Sequence, residues 1–177
     1  MAWEAEILRS IQTLRTPLLD YVMAFFSMLG YKGLCSIALG LILLIVVKTR
    51  KTGMEVLLSI AIAFILANLI IKPIVLRPRP CDVYPFLEAV LPQPHDSSFP
   101  SGHTVNAFAA ATAVFLNHKK IGILALIIAA LVAFSRMYAA MHFPTDVLAG
   151  IIIGVGTAVL VHYVISPALL KKRESKS

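Results

Sequence analysis

Residues 135–146 read SRMYAAMHFPTD, and they place an arginine, a histidine and an aspartate directly before a very apolar segment. Ionisable side chains beside lipid are costly, so their presence at such a position indicates a functional site. Pro144 occupies a favourable first helical position. It therefore predicts that a helix begins there, with Asp146 in its first turn and His142 just outside it.

The composition indicates a protein that crosses a membrane several times. Of its 177 residues, 59% are hydrophobic and only 14% are charged, and the mean hydropathy is +0.86. The net charge of +7 comes from lysines and arginines in short runs between apolar segments, which is the pattern of a topology signal. We therefore expect no nucleic-acid partner. Cys35 and Cys81 have neither a disulfide framework nor a metal-binding spacing.

The periodicity of apolar residues predicts an all-α chain. The first fifteen residues have the pattern of an amphipathic helix that lies in the membrane interface. Whether residues 18–30 also cross the membrane is left open by their length. Stronger spans are predicted at residues 33–47, 56–71, 104–116, 121–134 and 147–165.

We therefore expect a polytopic transmembrane helical bundle with about five to six membrane helices and an N-terminal amphipathic helix. The chain is predicted to form a single domain. Residues 1–30 are its interfacial helices, residues 31–165 its transmembrane core and residues 166–177 a basic tail.

The distribution of positive charge predicts the orientation of this bundle. Basic residues occur in the connections at 48–51 and 119–120 and in the C-terminal tail, so these regions are expected to be cytoplasmic. Residues 72–103 and 135–146 then lie together on the opposite, extracytoplasmic face. All of the unusual polar chemistry of the chain is in these two segments.

The first of them contains two candidate phosphate-binding elements. Residues 72–80 read KPIVLRPRP, in which Lys72 ends a span and Arg79 follows two prolines; taken alone, Lys72 is better explained as an interfacial anchor. Residues 99–106 read FPSGHTVN, in which Ser101 is a natural N-cap, with Gly102 and His103 in the first helical turn. Free amides at a helix start attract anions, although an ordinary capped helix would look the same.

The second segment adds a histidine suited to nucleophilic attack. Arg136 offers a planar fork for two phosphate oxygens. Asp146 is placed to reach back to one nitrogen of His142, which would fix the tautomer and leave the other nitrogen free. An aspartate in a first turn needs no more than the helix dipole to explain it. Three such elements on one face nevertheless favour a phosphate site.

Other polar residues are given structural roles. For Arg77, contact with the lipid headgroup layer is favoured over contact with a second phosphate. His95 and Asp96 belong to a long loop that could cover the site or steer substrate, but they are interpreted as a solvated loop pair. His162 is predicted to be structural.

Together, the elements Lys72…Arg79-Pro80, Pro100-Ser101-Gly102-His103 and Ser135-Arg136…His142…Asp146 resemble the three-part signature of the type 2 phosphatidic acid phosphatase (PAP2) superfamily. The parts occur in the family's order with every position filled. The resemblance implies that His142 attacks phosphorus, His103 protonates the leaving oxygen and Asp146 orients His142. It assigns phosphate binding to five further residues: Lys72, Arg79, Ser101, Gly102 and Arg136. It implies no metal and no cofactor.

The resemblance further implies an integral lipid phosphatase of the plasma membrane, which works through a phosphohistidine intermediate. Undecaprenyl diphosphate is the favoured substrate, by analogy with small members of the family. Phosphatidylglycerophosphate, phosphatidic acid and a lipid A phosphate are the alternatives. A non-catalytic membrane protein that binds lipid phosphates is the alternative of a different class, and it would not require His142 and Asp146 together.

Overall fold

The computed structural model describes residues 2–91 and 96–174, and within these residues all regular structure is helical. The helices are α1 (Ala2–Gln12), α2 (Pro17–Leu29), α3 (Leu34–Ile45), α4 (Arg50–Phe64), α5 (Lys72–Val75), α6 (Pro80–Val83), α7 (Gly102–Asn117), α8 (Lys119–Tyr138), α9 (Pro144–Leu160) and α10 (Ser166–Glu174). Two π-helical segments, Ile65–Ile71 and Val161–Ile165, extend α4 and α9. The predicted all-α class is confirmed.

The chain is a membrane protein. Among the described residues, four helical segments are long and apolar enough to cross a bilayer: Pro17–Ile45, Val47–Val83, Lys119–Tyr138 and Pro144–Leu169. Helix α7, which contains the predicted span 104–116, has 16 residues and is packed between α4, α8 and α9. The number of crossings stays a prediction.

Residues 17–45 form two helices rather than one. The break lies at Lys32 and Gly33, whose φ angles of 49° and 70° are left-handed. A side chain at Gly33 would also approach Asn106, since a Cβ there would lie 2.9 Å from the amide nitrogen. Helix α2 starts beside the end of α8, where Tyr138 donates a hydrogen bond to Asp20 (2.6 Å). Helix α3 continues toward the opposite end of the bundle.

The core of the bundle is made of small residues. Helix α7 contributes buried alanines, and α4 and α9 pack against them. Gly154 of α9 lies so close to α7 that a Cβ would be 2.6 Å from the Val105 carbonyl oxygen. Small side chains allow helix backbones to approach closely where lipid supplies no hydrophobic driving force. The result is a rigid frame under the first turns of α7 and α9.

The far end of the bundle is held by a buried carboxylate. Glu55 is fully buried, and it accepts hydrogen bonds from the Asn117 side chain (2.7 Å) and from Nδ1 of His162 (2.8 Å). The structural role predicted for His162 is thus confirmed. These contacts join α4, α7 and the end of α9. Nearby, the side chains of Thr52 and His118 are 3.0 Å apart, which brings the basic connections at 48–51 and 119–120 to the same end.

Helix α1 is amphipathic, as the pattern of its apolar residues predicted, and it packs against α8 and α9 with a partly polar face. Trp3 and Ile7 are 55% and 41% exposed, which suits contact with lipid. Leu8 is fully buried, and Glu4 is only 3% exposed. A helix that lay in the membrane interface without contacting the protein would not bury a carboxylate, because a buried charge is stable only when it is paired with an opposite charge or with hydrogen-bond donors.

Candidate active site

A cavity of about 650 Å³ lies at the end of the bundle where α7 and α9 begin. It brings together six of the eight residues predicted for the site: Lys72, Arg79, Gly102, His103, Arg136 and His142. The other two, Ser101 and Asp146, are fully buried behind it, and the Ser101 amide donates to the Asp146 backbone carbonyl (3.1 Å). Two segments that are far apart in sequence therefore meet, as the three-part pattern predicted.

The π-helical segment Ile65–Ile71 places Lys72 in this cavity. Pro73 follows at once, and a proline inside a helix lacks an N–H and clashes with the preceding turn. A wider π turn just before the proline is a common way to relieve such a clash. Leu76 then ends the helix in a left-handed conformation (φ 47°), and the chain turns toward Arg79. Lys72 and Arg79 are 8% and 2% exposed.

One carboxylate bridges these two cations. Asp96 accepts hydrogen bonds from Lys72 and from Nη2 of Arg79 (2.6 Å), and the other terminal nitrogen of Arg79 donates to the Met141 carbonyl (2.9 Å). Burial raises the pKa of Asp96, but the hydrogen bonds and charges of Lys72 and Arg79 outweigh it and hold the pKa below its ordinary value. Asp96 is half-exposed, as expected for a solvated residue, but it lines the cavity and pairs with two of the predicted site residues, which an ordinary loop residue would not do. Residue 95 lies outside the described residues.

Arg136 supplies a third positive charge from the last turn of α8. It is 4% exposed, and one terminal nitrogen donates to the Ser27 hydroxyl of α2. Its Nε has no partner in the part of the chain that the structure describes. A buried guanidinium with a free donor, in a cavity lined by two more buried cations, is suited to bind an anion.

The first turn of α7 faces the same cavity. Ser101 is the N-cap residue, as predicted, but its side chain does not cap the helix and instead accepts a hydrogen bond from the Thr104 hydroxyl (2.9 Å). The amides of the first turn thus keep their capacity to donate. At Gly102, a Cβ would lie 3.3 Å from the Asn68 side-chain oxygen. A helix start of this kind, next to cationic side chains, is a favourable position for phosphoryl oxygens.

The geometry around His142 fixes its tautomer. Nδ1 lies 2.7 Å from the backbone carbonyl of Ser98, and since a carbonyl can only accept, Nδ1 carries the proton. Nε2 is then the nitrogen with a free lone pair. Burial, together with the positive charges of Arg136 and Arg79, lowers the pKa of His142 to about 4. The imidazole is neutral at physiological pH, as a nucleophile must be.

Asp146 acts on His142 from a greater distance than the sequence suggested. Its Oδ2 lies 3.7 Å from Nδ1, too far for a hydrogen bond, and it accepts hydrogen bonds from the Ser98 hydroxyl (2.5 Å) and the Phe143 amide (2.8 Å). The Ser98 carbonyl, rather than Asp146, makes the orienting bond. A buried carboxylate at 3.7 Å still attracts positive charge on the imidazole.

Arg77 belongs to this arrangement, and its predicted contact with lipid headgroups is wrong. Its Nη1 donates to Asp146 Oδ1 (2.5 Å) and its Nη2 to Glu4 of α1 (2.7 Å). No local pattern predicts this pairing, because Glu4 is 73 residues away from Arg77. Ser98 was missed for a different reason: it acts partly through a backbone carbonyl, which every residue type has.

The chain resembles known proteins over most of its length. The model of the PAP2 superfamily matches residues 52–169. The chain is 31% identical to an undecaprenyl-diphosphatase of Sulfolobus acidocaldarius over 98% of this chain and 84% of that protein. It is 34% identical to the bacitracin transport permease protein BcrC of Bacillus licheniformis over 72% of this chain, but spans only 64% of that relative. Among solved structures, LpxE of Aquifex aeolicus superposes with a TM-score of 0.78 at 32% identity, covering 88% of this chain and 92% of that one.

Proposed function

Since the chain belongs to the PAP2 superfamily of phosphatases, we propose that it hydrolyses the terminal phosphate of a membrane polyprenyl diphosphate through a phosphohistidine at His142. One observation carries the proposal. His142, with Nδ1 bonded to the Ser98 carbonyl and Nε2 free, lines one cavity together with three buried cations, the exposed Lys32 and a helix start. Mere binding of a lipid phosphate would not need a neutral histidine of fixed tautomer in that cavity.

In the first step, Nε2 of His142 attacks the terminal phosphorus. A bond forms between Nε2 and phosphorus while the bond from phosphorus to the bridging oxygen breaks, and that oxygen leaves with the electron pair. His103 gives it a proton. Lys72, Arg79 and Arg136, with the amides of α7, stabilise the charge on the equatorial oxygens, where preorganised donors contribute most.

In the second step, water attacks the phosphohistidine. The P–N bond breaks, its electron pair returns to Nε2, and the proton of the water goes to His103, which thereby regains the proton it gave. Phosphorylated His142 carries positive charge on its ring, and Asp146 at 3.7 Å from Nδ1 stabilises that charge. Neither step requires a metal or a cofactor.

A diphosphate substrate would also prepare His103 for its role. Burial, together with the positive charges of Arg136, Lys72 and Arg79, lowers the pKa of His103 to about 2. A bound phosphate brings negative charge that offsets these cations, so that His103 can hold a proton only once substrate is present. The acid would then be charged at the time when the leaving oxygen needs it.

A polyprenyl diphosphate is the substrate class we favour. The support is the 31% identity to a protein named undecaprenyl-diphosphatase, over nearly the whole of this chain. The outward surface of α2 and α3 is strongly apolar, with exposed leucine, isoleucine and phenylalanine side chains, so a long lipid tail can remain in the bilayer beside the site. Phosphatidylglycerophosphate, phosphatidic acid and a lipid A phosphate share the headgroup chemistry and are the other substrates to assay.

We also propose that the cavity opens on the extracytoplasmic face of the plasma membrane and that the C-terminus is cytoplasmic. The basic connections at 48–51 and 119–120 lie at the end of the bundle away from the cavity, and positive charge favours the cytoplasmic side. In a cysteine-free background, an impermeant maleimide should label Ala89→Cys in intact cells and Lys48→Cys only after lysis. The reverse pattern contradicts this orientation.

Phosphate release from purified protein tests the activity. In detergent with EDTA, wild type should release phosphate from farnesyl diphosphate, a short polyprenyl diphosphate, and orthovanadate should inhibit it. His142→Gln should lose at least about 10³-fold in kcat, since it removes the nucleophile. Equal release by wild type and His142→Gln would contradict the assignment, and a higher kcat/KM for phosphatidylglycerophosphate or phosphatidic acid would reassign the substrate.

A further inference from the structure

Helix α1 contributes a buried carboxylate to the surroundings of Asp146. Glu4 is 3% exposed and lies against the first turn of α9. Its Oε1 accepts hydrogen bonds from the hydroxyl (2.6 Å) and the amide (3.3 Å) of Thr145, the residue before Asp146. Its Oε2 accepts from Arg77 (2.7 Å). Every partner of Glu4 is therefore either next to Asp146 in the chain or bonded to it.

Arg77 connects the two carboxylates. Its Nη1 donates to both Asp146 Oδ1 (2.5 Å) and the Thr145 hydroxyl (2.7 Å), while its guanidinium carbon lies 4.1 Å from the centre of the Phe143 ring. The position of the guanidinium is thus defined by contacts on three sides, and its side chain is only 13% exposed. It holds one oxygen of Asp146 so that the other faces Nδ1 of His142.

The signs of the charges alternate along this series. Glu4 is negative, Arg77 positive and Asp146 negative, and His142 becomes positive when it is phosphorylated. Without Glu4, the charge of Arg77 would act undiminished on Asp146 and weaken its attraction for the phosphorylated ring. A buried guanidinium with one carboxylate removed would also lack a hydrogen-bond partner and tend to shift.

From these contacts we infer that Glu4 and Arg77 are positioning residues for the Asp146–His142 pair, so that the N-terminal helix is part of the catalytic apparatus. This inference rests on the proposed function, and it adds a role for two residues outside the three-part pattern. Neither residue lines the cavity, so both act through Asp146 and not on the substrate.

Steady-state kinetics with farnesyl diphosphate test this role. Glu4→Gln keeps the shape of the side chain but removes its charge, and kcat should fall on the order of 10-fold with KM unchanged. Arg77→Ala, which frees Asp146, should lower kcat about 10²-fold. The control is Glu6→Gln, because Glu6 is exposed on the same helix; its kinetics should equal those of wild type. In the double variant Glu4→Gln/Arg77→Ala, kcat should be no lower than in Arg77→Ala alone.

Nitrogen-15 NMR of the histidines supplies a measurement that does not depend on turnover. His142 is assigned by the signal that His142→Gln removes, and Glu4→Gln should shift its Nδ1–H resonance while Glu6→Gln should not. Thr145→Val, which removes two hydrogen bonds but no charge, replaces Glu4→Gln should that variant not fold, and it should shift the same resonance.

The results separate this inference from the proposed function. A wild-type protein that releases no phosphate from any lipid phosphate contradicts the proposed function, and the NMR comparison alone then decides the role of Glu4. An unshifted His142 resonance in Glu4→Gln overturns the inference. So does a kcat equal to that of Glu6→Gln, or a change confined to KM, which would mean that α1 serves substrate binding.

Discussion

Replacing Asp96 by asparagine should make the enzyme bind its substrate more tightly. The Asp96 carboxylate bridges Lys72 and Arg79, two of the three cations expected to hold the phosphoryl group. A substrate phosphate must compete with this internal anion. Asparagine has nearly the same shape but no charge, so it competes less for the same two side chains.

The size of the effect follows from the exposure of Asp96. Its side chain is 51% exposed, so each ion pair is given the surface value of about 0.2–1 kcal/mol. Two pairs then correspond to about a 2- to 30-fold decrease in KM, at 1.4 kcal/mol per factor of ten. We expect kcat to change little, because Asp96 has left the cations before phosphorus is attacked.

Steady-state kinetics on farnesyl diphosphate, together with the inhibition constant of orthovanadate, measure this effect. Both KM and the inhibition constant should fall in Asp96→Asn. Glu88→Gln is the matched control, because Glu88 lies in the same long loop, is 80% exposed and pairs with Arg15 instead. A KM that rises in Asp96→Asn would show that the carboxylate organises the two cations for the substrate and does not compete with it.

Three further predictions concern stability, measured as the thermal midpoint in detergent. Because the pKa of His142 is about 4 in the fold and about 6.5 when unfolded, the unfolded chain takes up the proton first, so this residue alone should cost wild type about 2–3 kcal/mol of stability between pH 7 and 4.5. His142→Gln should not lose this part, and parallel pH curves of the two proteins would contradict the prediction. Glu55→Ala leaves Asn117 and His162 without their buried acceptor and should lower the stability by roughly 2–4 kcal/mol, while kcat of the folded protein stays the same. An unchanged midpoint would show that the hydrogen bonds to Glu55 do not stabilise this end of the bundle. Gly154→Ala should lower the stability by about 1–3 kcal/mol because its Cβ would lie 2.6 Å from the Val105 carbonyl oxygen. Gly156→Ala is the control and should be tolerated, because Gly156 has open space around it; equal losses of stability would argue against the close contact between α7 and α9.

The sequence was sufficient for the helices and for most of the site, because both depend on local patterns. Apolar runs define helices wherever they occur, and the prolines and glycines around residues 73–80 and 100–102 mark where helices end and begin. His142 and Asp146 were assigned to the site because ionisable groups beside an apolar helix need an explanation. Helix α7 begins at Gly102, directly after the predicted N-cap residue Ser101, and α9 begins at Pro144, the predicted first helical position.

The contacts between distant segments were not accessible in this way. Arg77 lies two residues from Arg79, yet one is bonded to Glu4 and Asp146 and the other to Asp96. The turn at Leu76 decides which of the two arginines faces the cavity. Its left-handed φ could not be predicted, because leucine rarely adopts that conformation. The burial of Glu4 depends on the packing of α1 against α9, which the period of its own apolar residues does not reveal.

The orienting bond on His142 shows the same limit in a different form. A carboxylate four residues away was the natural candidate, but the Ser98 carbonyl is closer to Nδ1, at 2.7 Å against 3.7 Å. A backbone carbonyl can be provided by any residue type, so the amino-acid sequence does not indicate which residue accepts the bond. Its consequence for the tautomer is nevertheless the same as the one expected from Asp146.

The phosphohistidine proposed at His142 can be trapped during turnover. Wild-type protein is mixed with farnesyl diphosphate, quenched in alkali within milliseconds, where phosphohistidine survives, and digested for mass spectrometry. We expect a phosphoryl group on the peptide that contains His142, attached at Nε2, and none in His142→Gln. Phosphate release by wild type with the phosphoryl group on another residue, or with no covalent intermediate at any time point, would show that His142 is not the nucleophile.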